Sequence, residues 1–570
     1  MKLRPMTRFA FAISIMAATL AFTGSASAAD TVARMVQDMN PGPSGSSPTS
    51  FAALGNRIFT YAEGPQDGSE PWAFDDSSAT ELGNIAEGTD GSSVAIPVVL
   101  NGEVYFSARD DAHGFELWRT NGNSVQLVRD IDPGPASGGP NELTVLGDHV
   151  YFSAFTPGEG TELWRADASG AELVSDIYAG LDGSYPSKLV KFGDYIYFSA
   201  GDLANGTELF RTNGVTTSLV KDINPGASSS YIDYPVVFDN HLYFSAADGT
   251  HGYEMWRTDG VTTDLFADIN PGVDGSGTSY PEVAGNALYF AADNGVNGSE
   301  PWRTDGGAPT MVADINPGSS DSSPQGFESL GNDVYFDAGE LVNGGELWHT
   351  TGSGANLVSN IAPGSTSSYP NQLTAFRGSI YFNAYRPDIS NELFKVDASG
   401  TVSLVKDILP GSSPGYPYYL TVIGDGLYFQ ANDGIHGYEP WKLGDALPDN
   451  TVDIKILGKK AAVGKKGFTA IKLTCPADEA SGPCTVKLSV TTTKAVNYKG
   501  KKKKVLISKK TIPVAAGVTG TARLTIKKSV MDLLRSSGAA RKVTVTAKVS
   551  DGAGNRKTVK KAYKLGKPAK

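Results

Sequence analysis

One turn motif recurs along the whole chain at an almost constant spacing, and this regularity limits the folds that the sequence can adopt. The motif is Asp-Ile-x-Pro-Gly, and its full or weaker copies begin at Asp38, Asn84, Asp130, Asp176, Asp222, Asp268, Asp314, Asn360 and Asp407. Successive copies lie 46 residues apart seven times and 47 residues apart once. A Tyr-Phe pair follows the same period, from Tyr105-Phe106 to Tyr428-Phe429. Such a period indicates a repeat architecture rather than several unrelated domains.

Each repeat contains four strand-like segments separated by Gly- or Asp-containing turns. In the third repeat these segments are Glu142–Leu146, His149–Ala154, Glu162–Ala166 and Glu172–Ile177. They are four to six residues long and rich in Val, Tyr, Phe and Thr, which favours β-strands over helices. Gly and Pro together make up 98 of the 570 residues, too many for a helical bundle. Four strands in 46 residues fit one blade of a β-propeller.

The ends of the repeat region predict that the ring closes. Residues 31–38 look like a fourth strand that lacks the first three, whereas the last repeat ends after its third strand, at residues 438–442. The N-terminal strand can therefore complete the last blade and remove two open sheet edges. We predict an all-β, multi-bladed β-propeller with nine blades, or eight if one degenerate copy forms no blade.

The repeats resemble the bacterial ELW-x-x-DGT repeat family. The resemblance rests on segments such as Glu116-Leu117-Trp118-Arg119-Thr120-Asn121-Gly122 and Glu254-Met255-Trp256-Arg257-Thr258-Asp259-Gly260, and it covers residues 30–443. The first copy departs most, with Pro71 and Ala73 beside Trp72. The resemblance implies a secreted or surface protein with a propeller-like fold, and it implies no catalytic activity and no catalytic residue.

A glutamate precedes the aromatic residue of this segment in every copy. These glutamates are Glu70, Glu116, Glu162, Glu208, Glu254, Glu300, Glu346, Glu392 and Glu439. We favour a structural role in which each accepts hydrogen bonds from its own loop, because a buried charge needs such partners. The other hypothesis is that they are Ca²⁺ ligands, helped by Asp110, Asp248 and Asp433, although the dense spacing of a strong calcium loop is missing. No other cofactor and no zinc site is predicted.

The termini and the charge distribution indicate further segments. Residues 1–28 have the basic start, apolar run and Ala26-Ser27-Ala28 cleavage site of a signal peptide, with an anchor helix as the alternative. Residues 451–570 carry 29 of the 49 basic residues but only 5 of the 61 acidic ones, a net charge of +24. The preceding 450 residues hold 20 basic and 56 acidic side chains, or −36. We therefore predict a propeller over 29–443, a linker at 444–450 and a basic domain over 451–570, with no transmembrane segment in the mature chain.

The basic tail alternates like a small antiparallel β-sandwich and resembles the Lys-rich Ig-like modules of bacterial secreted proteins. A capping box at Ser529 and Asp532 predicts a short helix that runs to Gly538. Cys475 and Cys484 are the only cysteines, and in an exported chain they predict a local disulfide. A polyanion-binding run is predicted at Lys499, Lys501, Lys502, Lys503 and Lys504. Sparse aromatic residues near this run argue against specific nucleic-acid binding.

These features favour a secreted or cell-surface binding or scaffold protein. Its propeller loops would recognise an extracellular protein or glycan, and its tail would attract an anionic polymer of the cell envelope, the propeller itself or another copy. The alternative is an extracellular polysaccharide lyase or hydrolase, which is less favoured because the copies show no polar triad. Non-repeated carboxylates clustered with a Tyr or His near the channel would favour that enzyme.

Overall fold

The computed structural model describes residues 31–88, 91–92, 97–445, 454–464, 467–475, 484–514, 519–550 and 556–568. The predicted signal peptide and most of the predicted linker lie outside these residues. The described chain divides into two compact units, at residues 32–444 and 445–570. No helix in the described part of the chain is long and apolar enough to cross a membrane.

The first unit is built of four-stranded sheets that follow one another along the chain, and the described residues form nine of them. A single strand, β1 (Thr31–Met35), precedes the first sheet. Sheets 1 to 3 contain β2 (Thr49–Leu54), β3 (Arg57–Glu63), β4 (Ser69–Phe74) and β5 (Ala79–Glu81); β6 (Val98–Leu100), β7 (Glu103–Asp110), β8 (Gly114–Thr120) and β9 (Val125–Arg129); and β10 (Asn141–Leu146), β11 (His149–Thr156), β12 (Gly160–Asp167) and β13 (Gly170–Ser175).

Sheets 4 to 6 have the same order. They contain β14 (Ser187–Phe192), β15 (Tyr195–Asp202), β16 (Gly206–Thr212) and β17 (Thr217–Lys221); β18 (Asp233–Phe238), β19 (His241–Ala247), β20 (Tyr253–Thr258) and β21 (Thr263–Ala267); and β22 (Ser279–Ala284), β23 (Ala287–Asp293), β24 (Ser299–Thr304) and β25 (Thr310–Met311).

Sheets 7 to 9 complete the unit. They contain β26 (Gln325–Leu330), β27 (Asp333–Glu340), β28 (Gly344–Thr350) and β29 (Asn356–Ser359); β30 (Asn371–Phe376), β31 (Ser379–Arg386), β32 (Ser390–Asp397) and β33 (Val402–Lys406); and β34 (Tyr418–Ile423), β35 (Gly426–Asn432) and β36 (Tyr438–Asp445). The fourth strand of sheet 9 is β1, which lies beside β36. β36 extends two residues into the segment predicted as a linker, residues 444–450.

Consecutive sheets pack against each other through apolar side chains. In sheet 3 the Tyr-Phe pair lies opposite the Trp segment, with Phe152 beside Trp164 across the strands. Phe152 and Trp164 share one buried cluster with Tyr105 of sheet 2. Large aromatic rings therefore fill the spaces between sheets, where they remove much apolar surface from water.

The first strand of each sheet lies next to the first strand of the following sheet, and β34 of sheet 9 contacts β2 of sheet 1. The cluster between these two sheets is also built of aromatic and aliphatic side chains, with the Tyr428 ring 6.1 Å from that of Phe74. The first strands are thus the innermost strands. The all-β class and the propeller-like sheets predicted from the period are confirmed.

The described residues of the second unit form two larger sheets, which share one core, and a two-stranded hairpin. Its strands are β37 (Lys455–Ile456), β38 (Lys460–Ala461), β39 (Phe468–Thr474), β40 (Cys484–Thr492), β41 (Val496–Tyr498), β42 (Lys501–Lys503), β43 (Leu506–Val514), β44 (Thr519–Thr525), β45 (Lys542–Ser550) and β46 (Arg556–Leu565), with α1 (Lys528–Ser536) between β44 and β45. Three strands form the sheet β37-β39-β44, five form the sheet β38-β46-β45-β40-β43, and the hairpin is β41-β42. Leu473 of the first sheet and Val545 of the second are buried in the same cluster.

The helix of this unit corrects one sequence-based expectation. Its N-cap residue is Lys527, which makes no side-chain capping hydrogen bond. Ser529 lies inside the first turn instead, and its hydroxyl is 3.0 Å from that of Tyr498. The helix exists where we predicted it, but the capping box does not, because the chain enters the helix two residues earlier.

Candidate functional site

The nine repeated glutamates are completely buried. In Glu254, Oε2 accepts hydrogen bonds from the backbone N–H of Ile269 at 3.1 Å and from the Ser276 hydroxyl at 2.6 Å, while Oε1 accepts one from the N–H of Asn270 at 2.9 Å. Ile269 and Asn270 belong to the Asp-Ile-x-Pro-Gly turn, and Ser276 precedes the next sheet. Each glutamate therefore fixes the connection between its own sheet and the following one.

The last glutamate receives the same set of hydrogen bonds from the other end of the chain. Glu439 accepts them from the N–H groups of Met39 at 3.0 Å and Asn40 at 3.2 Å, and from the Ser46 hydroxyl at 2.6 Å. These three residues precede sheet 1 by the spacing at which Ile269, Asn270 and Ser276 precede sheet 6. The first and last sheets are thus joined by the contact that joins every other pair.

Burial raises the pKa of all nine glutamates above the ordinary range, because it disfavours the charged form. The pKa reaches about 7 in Glu208, Glu392 and Glu439. Hydrogen bonds from the turn act in the opposite direction by stabilising the carboxylate. A carboxylate whose lone pairs are used in this way is poorly placed to bind Ca²⁺.

The aspartates proposed as calcium helpers have other partners. Asp110 lies 2.8 Å from the ring Nδ1 of His113, and the equivalent pairs Asp248–His251 and Asp433–His436 lie at 2.7 Å. Hydrogen bonding to the aspartate raises the pKa of each histidine. No group of three or more His, Cys, Asp or Glu side chains among the described residues is placed to hold a metal ion. The geometry favours the structural hypothesis for the glutamates, and calcium binding stays a prediction.

Because strands alternate in direction, the connections from second to third strands and from fourth strands to the next sheet lie at one end of the sheets. The repeated glutamates begin the third strands there, so we call it the glutamate end. The two connections touch through their backbones: a Cβ on Gly252 would lie 2.5 Å from the backbone nitrogen of Gly275. Glycine is required at such a contact, where both residues also have positive φ angles.

Two positions at the glutamate end have a left-handed backbone in all eight repeats in which the structure describes them, and together we call them the inner rim. The first, just before the inner strand, is occupied by Ser47, Gly139, Tyr185, Tyr231, Gly277, Ser323, Tyr369 and Tyr416. The second, within the inner strand, is occupied by Ser50, Glu142, Lys188, Tyr234, Tyr280, Gly326, Gln372 and Tyr419. Their φ angles lie between 44° and 65°. The fold imposes this conformation whatever side chain is present.

Tyrosine fills seven of these sixteen positions, although a left-handed backbone costs an ordinary residue about 1–2 kcal/mol. The side chains are not in the core: Tyr185, Tyr231 and Tyr369 are 65%, 61% and 63% exposed. Sequence reasoning missed them. A signal was present, because five of the seven directly precede a proline, at Tyr185, Tyr234, Tyr280, Tyr369 and Tyr416. Bulky residues held at positive φ mark candidate functional sites.

Polar groups that are not repeated lie beside these tyrosines. Lys188 forms an ion pair of 2.9 Å with Asp233, and its backbone N–H donates to Glu142 at 3.1 Å. The rings of Tyr234 and Tyr280 are 5.4 Å apart. The inner strands of sheets 3 to 6 therefore have the same backbone conformation but different polar and aromatic side chains.

Three further carboxylates depart from the repeat pattern. Glu282 is exposed on inner strand β22, yet the surrounding strands limit its hydration, and its pKa rises to about 7 through desolvation and then the charge of Glu328 on β26. Burial also raises the pKa of Asp337 to about 7. Asp337 Oδ1 is buried without a hydrogen-bond partner. Serine stands at the Asp337 position in other copies, for example Ser153 and Ser245.

The predicted polyanion-binding lysines lie on and beside the exposed hairpin of β41 and β42. All five are exposed. The ammonium groups of Lys499 and Lys503 lie 5.9 and 5.6 Å from the centre of the Tyr498 ring. A groove of about 460 Å³ adjoins the hairpin and is lined by Tyr498, Lys503, Lys504, Lys509, Lys527 and Val530, among others. The hairpin thus places several positive charges around one concave surface.

The predicted disulfide is confirmed. Cys475 and Cys484 are bonded, with their Cα atoms 6.0 Å apart. The bond joins the end of β39 in the three-stranded sheet to the start of β40 in the five-stranded sheet. It therefore ties together the two layers of the second unit.

Comparison with known proteins adds little to this description. No protein-family model and no curated protein matches the sequence. Among solved structures, the chain is similar to a prolyl endopeptidase (11% identity, TM-score 0.34), with 63% of this chain covered and about half, 53%, of the other. It is also similar to Sqt1 of Saccharomyces cerevisiae, with 9% identity and a TM-score of 0.34 over 72% of this chain and 100% of the other. A sialidase of Trypanosoma rangeli has 9% identity and a TM-score of 0.25 over 91% of this chain and 89% of the other. Similarities this weak support no argument about function.

Proposed function

We propose that this chain is an exported recognition protein related to the ELW-x-x-DGT repeat proteins. In this proposal, residues 29–443 form a nine-bladed propeller that β1 closes, and its glutamate end binds an extracellular protein or glycan. Seven tyrosines held on a left-handed backbone carry the proposal, because this backbone is costly for folding, five of their side chains are exposed, and the other two, Tyr234 and Tyr416, are only half-buried. The neighbour contacts of the nine inner strands, together with the hydrogen bonds from Met39, Asn40 and Ser46 to Glu439, support a closed ring.

The second unit is proposed to be an Ig-like module that attracts an anionic polymer of the cell envelope. The net charge of +24 over residues 451–570 and the lysine-lined groove beside β42 support this role. Export is proposed from the N-terminal signal sequence. The disulfide agrees with export, because such bonds persist mainly in oxidising compartments.

The attraction to a polyanion is tested by sedimenting the mature chain with bacterial sacculi that retain or lack their phosphate-rich glycopolymers. We expect binding in 0.05 M salt that depends on these polymers and is released by about 0.5 M salt, where the Debye length is only a few ångströms. Serine replacement of Lys501, Lys502, Lys503 and Lys504 should weaken binding. The matched control replaces Lys472, Lys487, Lys548 and Lys560, which changes the net charge equally at other exposed positions. Equal losses in the two variants would argue against a site at the hairpin.

A second candidate function is favoured by Glu282, Glu328 and Asp337. Glu282 and Asp337, whose pKa values are about 7, could serve as acid and base in cleaving a glycosidic bond, and Glu328 lies on the inner strand next to that of Glu282. The test is release of reducing ends or unsaturated products from extracellular polysaccharides. Activity that is lost in Glu282→Gln and kept in Glu172→Gln, an exposed carboxylate at the opposite end, would replace the binding proposal with an enzymatic one.

A further inference from the structure

The positions of the inner rim share one backbone conformation but carry different side chains. At the first rim position, four copies have serine or glycine and four have tyrosine, and all eight share the same left-handed conformation. Glycine adopts this conformation without strain, and serine is small enough to leave the surface open. The fold therefore does not require the tyrosines at this position.

The tyrosines are not explained by packing within the chain either. Tyr280 and Tyr419 remain 47% and 43% exposed, and Tyr185 and Tyr369 are more exposed still. Some of these rings meet other tyrosines: Tyr231 pairs with exposed Tyr253 at 6.4 Å, and the half-buried ring of Tyr416 stacks on that of Tyr418 at 5.6 Å. An exposed tyrosine ring offers a flat face with a hydroxyl group at its edge.

Charge restricts the ligands that such faces can take. The first 450 residues carry a net charge of −36, which repels polyanions from the ring. The C–H groups on one side of a sugar ring are attracted to the negative face of an aromatic ring. Sugar hydroxyls can meanwhile bond to polar neighbours such as Asp233, Lys188 and Gln372. Binding positions that recur from sheet to sheet suit a ligand that is itself built of repeated units.

We propose that the inner-rim tyrosines bind an uncharged glycan chain by stacking against its sugar rings. This inference rests on the proposed recognition function and specifies its ligand. The rim tyrosines form two arcs, one on sheets 4 to 6 and the other on sheets 8 and 9. Each arc provides contacts for a segment of the glycan, and a longer chain that reaches both arcs binds more tightly than a short one.

The test uses the full mature chain and hexasaccharides of glucose, mannose, galactose and N-acetylglucosamine, with oligoalginate as the anionic comparison. The rim variant carries Tyr185→Ser, Tyr231→Gly and Tyr369→Ser, which introduce residues that occupy this position in other copies. We expect the unaltered chain to bind at least one uncharged hexasaccharide, and the rim variant to bind it at least tenfold more weakly. The melting temperature of the variant should be unchanged or higher, because Tyr231→Gly removes backbone strain and the two serines keep a conformation that Ser47 and Ser323 already adopt.

The matched control carries Val215→Ser and Val261→Ser, which remove exposed apolar side chains from loops at the opposite end. It should bind as tightly as the unaltered chain. Saturation-transfer NMR on the unaltered chain provides a second readout, in which magnetisation should reach the C–H groups of the sugar from aromatic protons.

Absence of binding to all four uncharged hexasaccharides, preference for oligoalginate, or full binding by the rim variant would overturn the glycan proposal. If the chain still bound sacculi while no uncharged hexasaccharide bound, the recognition function would stand without this ligand. If the chain bound neither, both proposals would fail.

Discussion

A single type of residue, the buried glutamate, organises the connections of the first unit. Desolvation of a carboxylate is costly, and backbone N–H groups with a serine hydroxyl compensate it in most copies. In Glu346, for example, these donors are Ile361, Ala362 and Ser368. The glutamate thereby selects one conformation of the Asp-Ile-x-Pro-Gly turn. Its role is in the fold, whereas the tyrosines of the inner rim are the residues proposed to meet the ligand.

The glutamates predict an unusual pH dependence of stability. A pKa of about 7 in the folded state, against 4.5 unfolded, means that the folded chain holds more protons between these values. Stability from Glu208 and Glu392 is therefore full below pH 4.5 and falls as the pH rises through 7. Calorimetry between pH 5 and 7.5 should show a smaller decrease in melting temperature for Glu208→Gln/Glu392→Gln than for the unaltered chain. An unchanged slope in the variant, or the same change in the exposed control Glu172→Gln, would contradict this assignment.

Glycine provides a second test at this scale. Gly252 and Gly277 both have positive φ, but only Gly252 lacks space for a Cβ. Gly277→Ala should cost about 1–2 kcal/mol of unfolding free energy from backbone strain. Gly252→Ala should cost a further 1–3 kcal/mol, roughly, from the clash with Gly275. Denaturant titration of both variants measures the difference, and equal losses would show that the two connections do not touch as described.

At the scale of elements, the same connection recurs between sheets: a glutamate of one sheet holds the turn that leads to the next. The glutamate and the turn need not be close in sequence. The segment that includes Met39, Asn40 and Ser46 lies some 400 residues before Glu439, yet it bonds as its internal counterparts do. The third strand of sheet 9, β36, therefore pairs with β1, and its glutamate is hydrogen-bonded by the loop that follows β1. Closure depends on tertiary contacts of high sequence separation.

Matched serines test this closure. Ser46 and Ser276 each donate a 2.6 Å hydrogen bond to a buried glutamate, one across the closure and one between consecutive sheets. Ser46→Ala and Ser276→Ala should each reduce the unfolding free energy by roughly 1–3 kcal/mol, because each leaves a buried carboxyl oxygen without one of its partners. A measurable loss for Ser276→Ala with none for Ser46→Ala would mean that the ring is open in solution.

At the scale of the whole molecule, charge and core composition differ between the two units. The first unit is acidic and held by aromatic rings, whereas the second is basic and has an aliphatic core with one disulfide. Each unit has its own buried clusters. Breaking the disulfide should therefore destabilise the second unit and leave the first unit unchanged.

Reduction of Cys475–Cys484 tests this expectation. Opening a loop this short should destabilise the second unit by about 2–3 kcal/mol, through the greater entropy of its unfolded state. Hydrogen exchange after reduction should accelerate in β39 and β40 and stay unchanged in sheets 1 to 9. Faster exchange throughout residues 32–444 would refute a local role, and Cys475→Ser/Cys484→Ser should reproduce the reduced pattern.

Much of the fold follows from local sequence, because a strand needs only a suitable run of residues and a turn. The four segments predicted in the third repeat are found as β10 to β13, within a few residues at each end. The disulfide was predictable because only two cysteines exist. The helix near residue 530 was predicted correctly, but its start was predicted two residues too late. Capping depends on the positions of individual atoms, and the Ser529 hydroxyl lies near that of Tyr498 instead of capping the helix.

By itself, the sequence determined the repeat, the strands within it, the periodic Tyr-Phe pairs and the contrast in charge. These are properties of neighbouring residues or of composition. Tertiary structure alone decided which donors meet each buried glutamate, how Met39 comes to meet Glu439, and which tyrosines stand on a left-handed backbone. These contacts and conformations depend on where distant segments come together. The φ angle at Tyr231 is set by the connection between two sheets, and a serine or glycine at this position would adopt the same φ angle.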